Sequence, residues 1–433
     1  MPDTPAAPTF RAALRVWLKI GLLGFGGPTG QIALMHQELV EQRRWISEDR
    51  FLHALNYCML LPGPEAQQLS IYIGWLLHRT RGGLVAGTLF VLPGALLLWL
   101  ISVIYVTWGN LPWLVAIFHG LKPAVMGLVA FAVLRLGRKP LKNAVMWGIA
   151  ALAFAGIYFL HLPFPLIVLS AGLLGLLGSR FAGRWFDVGA GHGASGAVIH
   201  DGTAMRDSQR PSLPRLLRVT ATGLALWALP VAGAAFWLGP DHVLFKEGLF
   251  FSKAAVVTFG GAYAVLPYVA QQAVETHHWL TPHQMLDGLG LAETTPGPLI
   301  LVLQFAGFLG AHGSPAPFSP LVAGTLGAAM TIWTTFVPSF LFIFLGAPYI
   351  EALRGQKMLT GALSTITAAV VGVVLNLAVW FALGVLFPSS GGTDWFALLV
   401  SVGTFAGLWR FKWSVLPVVA GCGLLGLLYQ MAA

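Results

Sequence analysis

The chain has 433 residues, of which 57% are hydrophobic and only 9% are charged, and its formal net charge is +9. Because a soluble domain carries about 25% charged residues, this chain cannot cover itself with polar groups, and lipid is expected to be its main solvent. Most basic residues lie in short loops between apolar runs, as topology signals do, so the positive charge does not indicate a nucleic-acid partner. Strands of alternating polarity are absent, which argues against a membrane barrel.

The first segments are too short to cross a bilayer, which requires about 20 residues. Gly and Pro end one helix and start the next, and they separate two pairs of short segments: 10–24 from 29–41 at Gly26-Gly27-Pro28, and 51–61 from 65–77 at Pro62-Gly63-Pro64. Each pair is predicted to form a re-entrant helical hairpin that enters and leaves the membrane on the same face. Four full spans follow, at about 83–107, 112–135, 141–158 and 163–180.

Residues 181–212 are rich in Gly, Ser and His and are predicted to be a linker. One extra transmembrane helix, at about 217–238, then crosses outward. The second half of the chain is therefore expected to start from the opposite face of the membrane.

The second half repeats the first. Phe25-Gly26-Gly27 recurs as Phe259-Gly260-Gly261, and Pro62-Gly63-Pro64 recurs as Pro296-Gly297-Pro298, with one offset of 234 residues (259 − 25 and 296 − 62). Further along, Pro93 corresponds to Pro338 and the offset is 245 (338 − 93), which fits an insertion near 311–320. The predicted domains are a first repeat over 1–180, a cytoplasmic linker with its connecting helix over 181–238, and a second repeat over 239–433.

The distribution of charge sets the predicted topology. With a cytoplasmic N-terminus, only Lys246 of the 25 Lys and Arg residues falls in an outer loop, as the positive-inside bias requires. The sequence thus predicts an all-α polytopic membrane protein made of two inverted-topology repeats, joined by one extra transmembrane helix. Each repeat has two re-entrant helical hairpins followed by four transmembrane helices, and the C-terminus lies outside.

The four Gly and Pro turns are expected to meet near the middle of the membrane, because non-helical backbone at that depth must be shielded by protein or water. A helix starts after each turn, so free N–H groups and the positive end of the helix dipole point at the centre, which is an anion site. The predicted binding glycines are Gly26, Gly27, Gly63, Gly260, Gly261 and Gly297. The predicted structural prolines are Pro28, Pro62, Pro64, Pro296 and Pro298, of which Pro28, Pro64 and Pro298 suit the first helical position. The alternative is that these residues only kink packed helices.

Charged side chains near the turns add to this interpretation. Lys19 and Lys253 lie at equivalent positions, six residues before each Phe-Gly-Gly. A Lys deep in the bilayer costs about 2.5–3.5 kcal/mol, so the pair is predicted to bind an anion, unless the side chains snorkel to the interface. Glu65 and Glu293 flank the two Pro-Gly-Pro turns and either carry a coupling proton or pair with Lys.

Uncharged donors also lie near the turns. Thr29, Asn56, Gln68 and Thr295 are candidate ligands because hydroxyls and amides can donate hydrogen bonds to an oxyanion. Bonds between helices are the alternative role for each of them. Lys122 has Thr367 at the equivalent position and is interpreted as interfacial or structural.

Several longer motifs resemble a known family. They are Phe25-Gly26-Gly27-Pro28, Leu61-Pro62-Gly63-Pro64-Glu65-Ala66, the run from Arg81-Gly82-Gly83 to Leu92-Pro93-Gly94, Thr258-Phe259-Gly260-Gly261 and Thr294-Thr295-Pro296-Gly297-Pro298. In them the sequence resembles the chromate ion transporter family, in its long two-repeat form, over nearly the whole chain except the linker and tails. The resemblance implies a bacterial or archaeal inner-membrane protein that exports chromate, confers chromate resistance and has a link to sulfate. Ala262 departs from the pattern, since the first half has Pro28 there, so the two hairpins need not bind symmetrically.

The sequence therefore predicts a secondary transporter of chromate or sulfate that works by alternating access, coupled to a proton or counter-anion gradient. No Walker motif is present, which argues against direct use of ATP. A chromate reductase would need a redox cofactor, and no cofactor motif or cysteine cluster occurs, so no cofactor and no enzyme activity are expected. A gated anion channel and a homodimer are both compatible with the sequence.

Overall fold

A computed structural model describes residues 8–25, 27–59, 61–109, 111–138, 140–181, 212–259, 261–349, 357–387 and 392–432. The regular secondary structure of these residues is helical, as the sequence predicts. Most of the predicted linker, together with Gly26 and Gly260 and the side chains of Thr29 and Asn56, lies outside the described residues.

The described residues before the linker form seven helices: α1 (Phe10–Leu23), α2 (Gly27–His36), α3 (Glu48–Cys58), α4 (Glu65–Trp108), α5 (Pro112–Gly137), α6 (Ala144–Tyr158) and α7 (Phe164–Phe181). A π-helical segment, Gln37–Gln42, extends α2. Helix α4 has 44 residues but breaks at His78 and Arg79, whose backbone is not helical. The predicted segments 65–77 and 83–107 are the two parts of this one helix.

The described residues after the linker form nine more, of which the first is the connecting helix: α8 (Leu213–Leu238), α9 (Val243–Val257), α10 (Ala262–Gln271), α11 (Pro282–Thr294), α12 (Val302–Gly313), α13 (Pro320–Gly346), α14 (Lys357–Leu386), α15 (Trp395–Arg410) and α16 (Val415–Ala432). The π-helical segment Gln272–Thr276 extends α10, and the 3-10 turn Leu299–Leu301 precedes α12. Residues 314–319 separate α12 from α13, where the first half has only the break in α4. These six residues lie within the predicted insertion at 311–320, where the repeat offset grows from 234 to 245 residues.

Side-chain caps fix the helix starts at equivalent places in both halves. Ser47 accepts a hydrogen bond from the Arg50 amide at the start of α3, and Thr281 forms a capping box with Gln284 at the start of α11. Ser47 and Thr281 are related by the offset of 234 residues. Such caps satisfy amides that the helix itself leaves without partners.

Six described helices are long and apolar enough to cross a membrane: α4, α5, α7, α8, α13 and the part of α14 from Ser364 to Leu386. Large apolar side chains point outward from them and from shorter helices. Leu169, for example, is 69% exposed and Trp237 is 81% exposed. A chain that leaves such side chains uncovered is suited to lipid, and the prediction of a multi-pass membrane protein is confirmed.

The two halves are interlaced. Helices α15 and α16 of the second half pack on α5 of the first, while α6 and α7 of the first half pack on α14 of the second. Two equivalent glycines allow these close crossings: a Cβ on Gly127 would lie 2.6 Å from the Ser401 carbonyl oxygen, and one on Gly372 would lie 2.0 Å from that of Ala150. Helices α5 and α14 are therefore each held by two helices of the other half: α5 by α15 and α16, and α14 by α6 and α7.

Candidate functional site

The first Pro-Gly-Pro turn contacts the second half of the chain. The backbone N–H of Gly63 donates a hydrogen bond to the Thr258 carbonyl oxygen, at 2.7 Å. Gly63 has φ +118°, a conformation that side chains disfavour and glycine tolerates. The turn after α3 is thereby joined to the end of α9.

The second Pro-Gly-Pro turn makes the reciprocal contact. The N–H of Gly297 donates to the Gly24 carbonyl oxygen, at 3.0 Å. Gly297 corresponds to Gly63, and Thr258 to Gly24, by the offset of 234 residues. The fully buried Gln31 strengthens this side, because its Nε2 donates to the carbonyl oxygens of both Gly24 and Gly297. Two equivalent backbone bonds thus join the hairpins across the halves.

Helices α4 and α13 press against the same turns. A Cβ built on Gly94 in α4 would lie 2.0 Å from the Pro296 carbonyl oxygen, and one built on Gly63 would lie 2.9 Å from Ser339 Oγ in α13. Gly94 and Ser339 correspond by the offset of 245 residues and follow the helix prolines at 93 and 338. Each Pro-Gly-Pro turn is therefore held between two parts of the other half. These are its first turn and its helix α4 or α13.

The helix starts differ slightly from the predicted ones. Pro28 is the second residue of α2, Pro64 is the N-cap of α4, and Pro298 precedes the 3-10 turn instead of α12. The expected placement of all three at the first helical position was wrong by about one residue, which is the usual uncertainty of helix boundaries.

Glu65 makes the two halves chemically different. A Cβ on Gly261, at the start of α10, would lie 2.9 Å from Glu65 Oε1 and 3.4 Å from its Oε2. The carboxylate therefore lies against the turn of the second half. At the equivalent first-half glycine, Gly27, a Cβ would meet nothing within 4 Å, and Leu299 stands where Glu65 would be. The start of α10 has the Glu65 carboxyl group as a neighbour, whereas the start of α2 faces open space.

The other predicted polar residues are mostly bonded within the protein. Glu293, 7% exposed, accepts a hydrogen bond from the Tyr263 hydroxyl. The Thr295 hydroxyl donates to the Ala292 carbonyl at the end of its own helix, so this bond does not join two helices.

Two buried amides close to the first Pro-Gly-Pro turn keep free hydrogen-bonding capacity. Gln68 Nε2 donates to the Pro62 carbonyl at 2.7 Å, and its Oε1 has no partner in the described part of the chain. Gln67 is fully buried, and neither atom of its amide has a partner there. Like Gln68, Gln67 is one of the uncharged groups near this turn that could donate a hydrogen bond to an oxyanion.

The two lysines point to the hairpin ends instead of the turns. Lys19 Nζ pairs with Glu38 Oε1 at 2.5 Å, and Arg43 lies 3.2 Å from the other oxygen of this carboxylate, which is 2% exposed. Lys253 is exposed and has no ion pair among the described residues. It lies near the loop after α10, where burial lowers the pKa of His277 and the charges of Lys246, His278 and Lys253 lower it further. The role of both lysines in anion binding stays a prediction.

Together, the fold and the turns define a multi-pass helical membrane protein with broken helices that meet between its halves. No group of metal-binding side chains occurs in the described ranges. Membrane transporters are commonly built in this way. A family model described as chromate transporter matches residues 11–176 and 245–427. The chain belongs to this family, and the resemblance seen in its motifs is confirmed.

Curated relatives agree with this assignment. The chain is 30% identical to a chromate transport protein of Cupriavidus metallidurans, over 98% of this chain and 96% of the relative. It is 32% identical to a chromate transport protein of Pseudomonas aeruginosa, over 95% and 90%. A probable chromate transport protein of Synechococcus elongatus is 28% identical, over 84% and 82%. No solved structure shows a significant match.

Proposed function

We propose that the protein exports chromate across a bacterial or archaeal inner membrane by alternating access and so confers chromate resistance. The observation that carries the proposal is the reciprocal pair of bonds, Gly63 to Thr258 and Gly297 to Gly24, which brings turns of both halves together. Helix N-termini next to such turns offer N–H groups and a positive partial charge to an anion. The names of the curated relatives favour chromate, and sulfate has the same tetrahedral shape and charge.

The proposed position of the oxyanion is the start of α2. Gly27 has φ +67° and open space beside its Cα, so a ligand can approach the backbone there. At the start of α10, the Glu65 carboxylate already occupies the corresponding place beside Gly261. We therefore propose that Glu65 acts as a tethered anion, which lowers the affinity for a second oxyanion and speeds release of the first by repulsion.

The interlaced packing favours one form of alternating access. Because α5 and α14 each hold the last two helices of the other half, the halves cannot easily rock as separate bodies. The hairpins α1–α2, α3–α4, α9–α10 and α11–α12 are the parts that would move against this frame. In the proposed inverted repeat, one pair opens to the cytoplasm and the other to the outside.

Lys19 and Lys253 are proposed to attract the oxyanion at the two faces before it reaches the turns. Both side chains lie near the hairpin ends, which suits a role in entry and exit more than one at the centre. The net charge of +9 supports attraction of a dianion over longer distances.

Uptake of chromate into everted membrane vesicles tests the proposal. A carrier gives saturable uptake that sulfate inhibits, and collapse of the proton gradient abolishes accumulation if protons drive it. Flux that does not saturate and shows no counterflow would instead indicate a gated anion channel. Vesicles that take up no more chromate than vesicles without the protein would refute the proposal.

A further inference from the structure

A buried acid–base cluster lies away from the four turns, between the two halves. Asp287 of α11 is 4% exposed, and its Oδ2 accepts a hydrogen bond of 2.9 Å from the Tyr105 hydroxyl of α4. Lys122 of α5 lies 3.7 Å from Asp287 Oδ1, which makes no hydrogen bond in the described part of the chain. Phe118 and Phe305 pack edge-on against the Tyr105 ring and help to shield the cluster.

This ion pair is loose and yet buried. Close charge-assisted bonds measure about 2.7–2.9 Å, whereas the Lys122 ammonium stands well beyond that distance. Removing two charges from water costs several kcal/mol per ion, which only excellent geometry repays. The ionised pair and the neutral carboxylic acid therefore differ little in free energy, and a modest change in geometry can shift the proton.

The cluster extends to the surface of the protein. The Lys122 side chain is 24% exposed, and His283, which is exposed, lies one helical turn before Asp287 on α11. Ionisable side chains that connect a buried carboxylate to the surface are the usual components of proton relays in membrane proteins.

Other titratable groups on the helices packed against α11 are engaged elsewhere. His312 of α12 stacks on Phe308, and Tyr429 of α16 stacks on a histidine and a phenylalanine. Cys422 of α16 contacts the Thr404 hydroxyl. The groups that face Asp287 are thus Tyr105 and Lys122.

Helix α11 connects the cluster to the proposed anion site. It runs from Asp287 to the Pro296-Gly297-Pro298 turn, a distance of about 13 Å at 1.5 Å per residue. Movement of the second-half hairpin would therefore shift Asp287 against Lys122, because the two residues belong to different halves. The equivalent positions hold His53 and Thr367, so this acid–base pair occurs at only one of the two related places.

We infer that Asp287, held by Tyr105 and Lys122, is the site at which the protein binds the proton that is coupled to oxyanion transport. The inference rests on the proposed function and adds the coupling ion and its residue. Binding of the anion at the turns moves α11, and this movement changes the contact between Asp287 and Lys122 and thereby its proton occupancy.

Calorimetric titration of the purified protein with chromate tests the inference. Repeating the titration in buffers of different ionisation enthalpy gives both the affinity and the number of protons exchanged. We expect Asp287→Asn to bind chromate and exchange no proton, and Asp287→Glu to exchange a proton with a shifted pH midpoint. The matched control is Asp241→Asn, because Asp241 pairs with Lys246 at 3.6 Å but is fully exposed; it should behave as the wild type.

Each outcome decides the question. Unchanged proton exchange in Asp287→Asn would overturn the inference, and so would loss of chromate binding, because Asp287 lies away from the turns. A wild-type protein that binds no chromate would instead refute the proposed function.

Discussion

An added methyl group at Gly94 tests whether α4 positions the second Pro-Gly-Pro turn. A Cβ there would lie 2.0 Å from the Pro296 carbonyl oxygen and 2.8 Å from Leu301 Cδ1. Carbon–oxygen contacts in proteins lie at about 3.3–3.6 Å, so the turn must move away from α4 by more than about 1 Å. The oxygen belongs to the backbone and cannot rotate away as the end of a side chain would.

The expected magnitude follows from this displacement. Overpacking of this kind costs about 1–3 kcal/mol, partly offset by the gain of up to about 1 kcal/mol when Ala replaces Gly in a helix. Misplacement of a functional group by about 1 Å can reduce activity about 100-fold. We therefore expect Gly94→Ala to fold with slightly lower stability and to lose most chromate uptake per folded molecule.

Two control variants distinguish displacement of the turn from a general defect in helix packing. Gly372→Ala introduces a clash of the same kind, 2.0 Å from the Ala150 carbonyl oxygen, but between α14 and α6. Gly148→Ala places the methyl group in open space. The assay combines thermal unfolding of the purified variants with uptake into everted vesicles, normalised to folded protein. The reasoning is refuted if Gly94→Ala transports as well per folded molecule as the wild type, or if Gly372→Ala loses as much transport as Gly94→Ala.

Three further predictions test the proposed site and topology. Lys19→Ala should lower stability, because the negative charge of the buried Glu38 then has fewer positive partners. Adding Glu38→Gln should restore the unfolding temperature but not chromate uptake. Recovery of uptake in this double variant would show that Lys19 is not part of the anion path. Glu65→Gln should lower the KM for chromate and slow its release, as repulsion at the turns weakens, and an unchanged KM would argue against a tethered anion. In a background without Cys58 and Cys422, impermeant thiol reagents should label Glu41→Cys from the cytoplasm and Glu275→Cys from outside. Both positions are exposed and equivalent, and labelling from one face would rule out the inverted repeat.

The turns were predictable because backbone geometry leaves a strong signal in sequence. Gly63, Gly297 and Gly261 all have positive φ, which is why glycine recurs at these positions in both halves. The repeat offset also identified which turns correspond. It could not show that Gly63 bonds to Thr258 and Gly297 to Gly24, because a pattern of helices contains no distances between them.

The side-chain partners were much less predictable. Lys19 was expected to face an anion, but nothing in the spacing indicated that Glu38 would lie beside it, since the π-helical segment shifts the register after α2. Asp287 and Tyr105 were overlooked because they lie outside the motifs. Lys122, interpreted as structural or interfacial, pairs with Asp287 across the halves, a contact that depends on tertiary packing alone.

The interlacing of the halves is another feature that local patterns do not contain. Helices α6 and α7 pack on α14, where Gly372 crosses Ala150 closely, and their apolar pattern alone does not specify this partner. Domain boundaries at 180 and 239 describe the repeat in sequence and stay a prediction. In space, α5 of the first repeat packs against α15 and α16 of the second, and α14 of the second repeat packs against α6 and α7 of the first.

The most direct test of a shared oxyanion site between the turns is the position of chromium in crystals of the protein grown with chromate. Anomalous scattering locates the metal of the bound oxyanion without assumptions about the surrounding density. We expect one principal peak beside Gly27 at the start of α2, close to Gly24 and Gly297, and none beside Gly261, where Glu65 lies. A principal peak at Lys19 or Lys253, with none among the turns, would contradict the account.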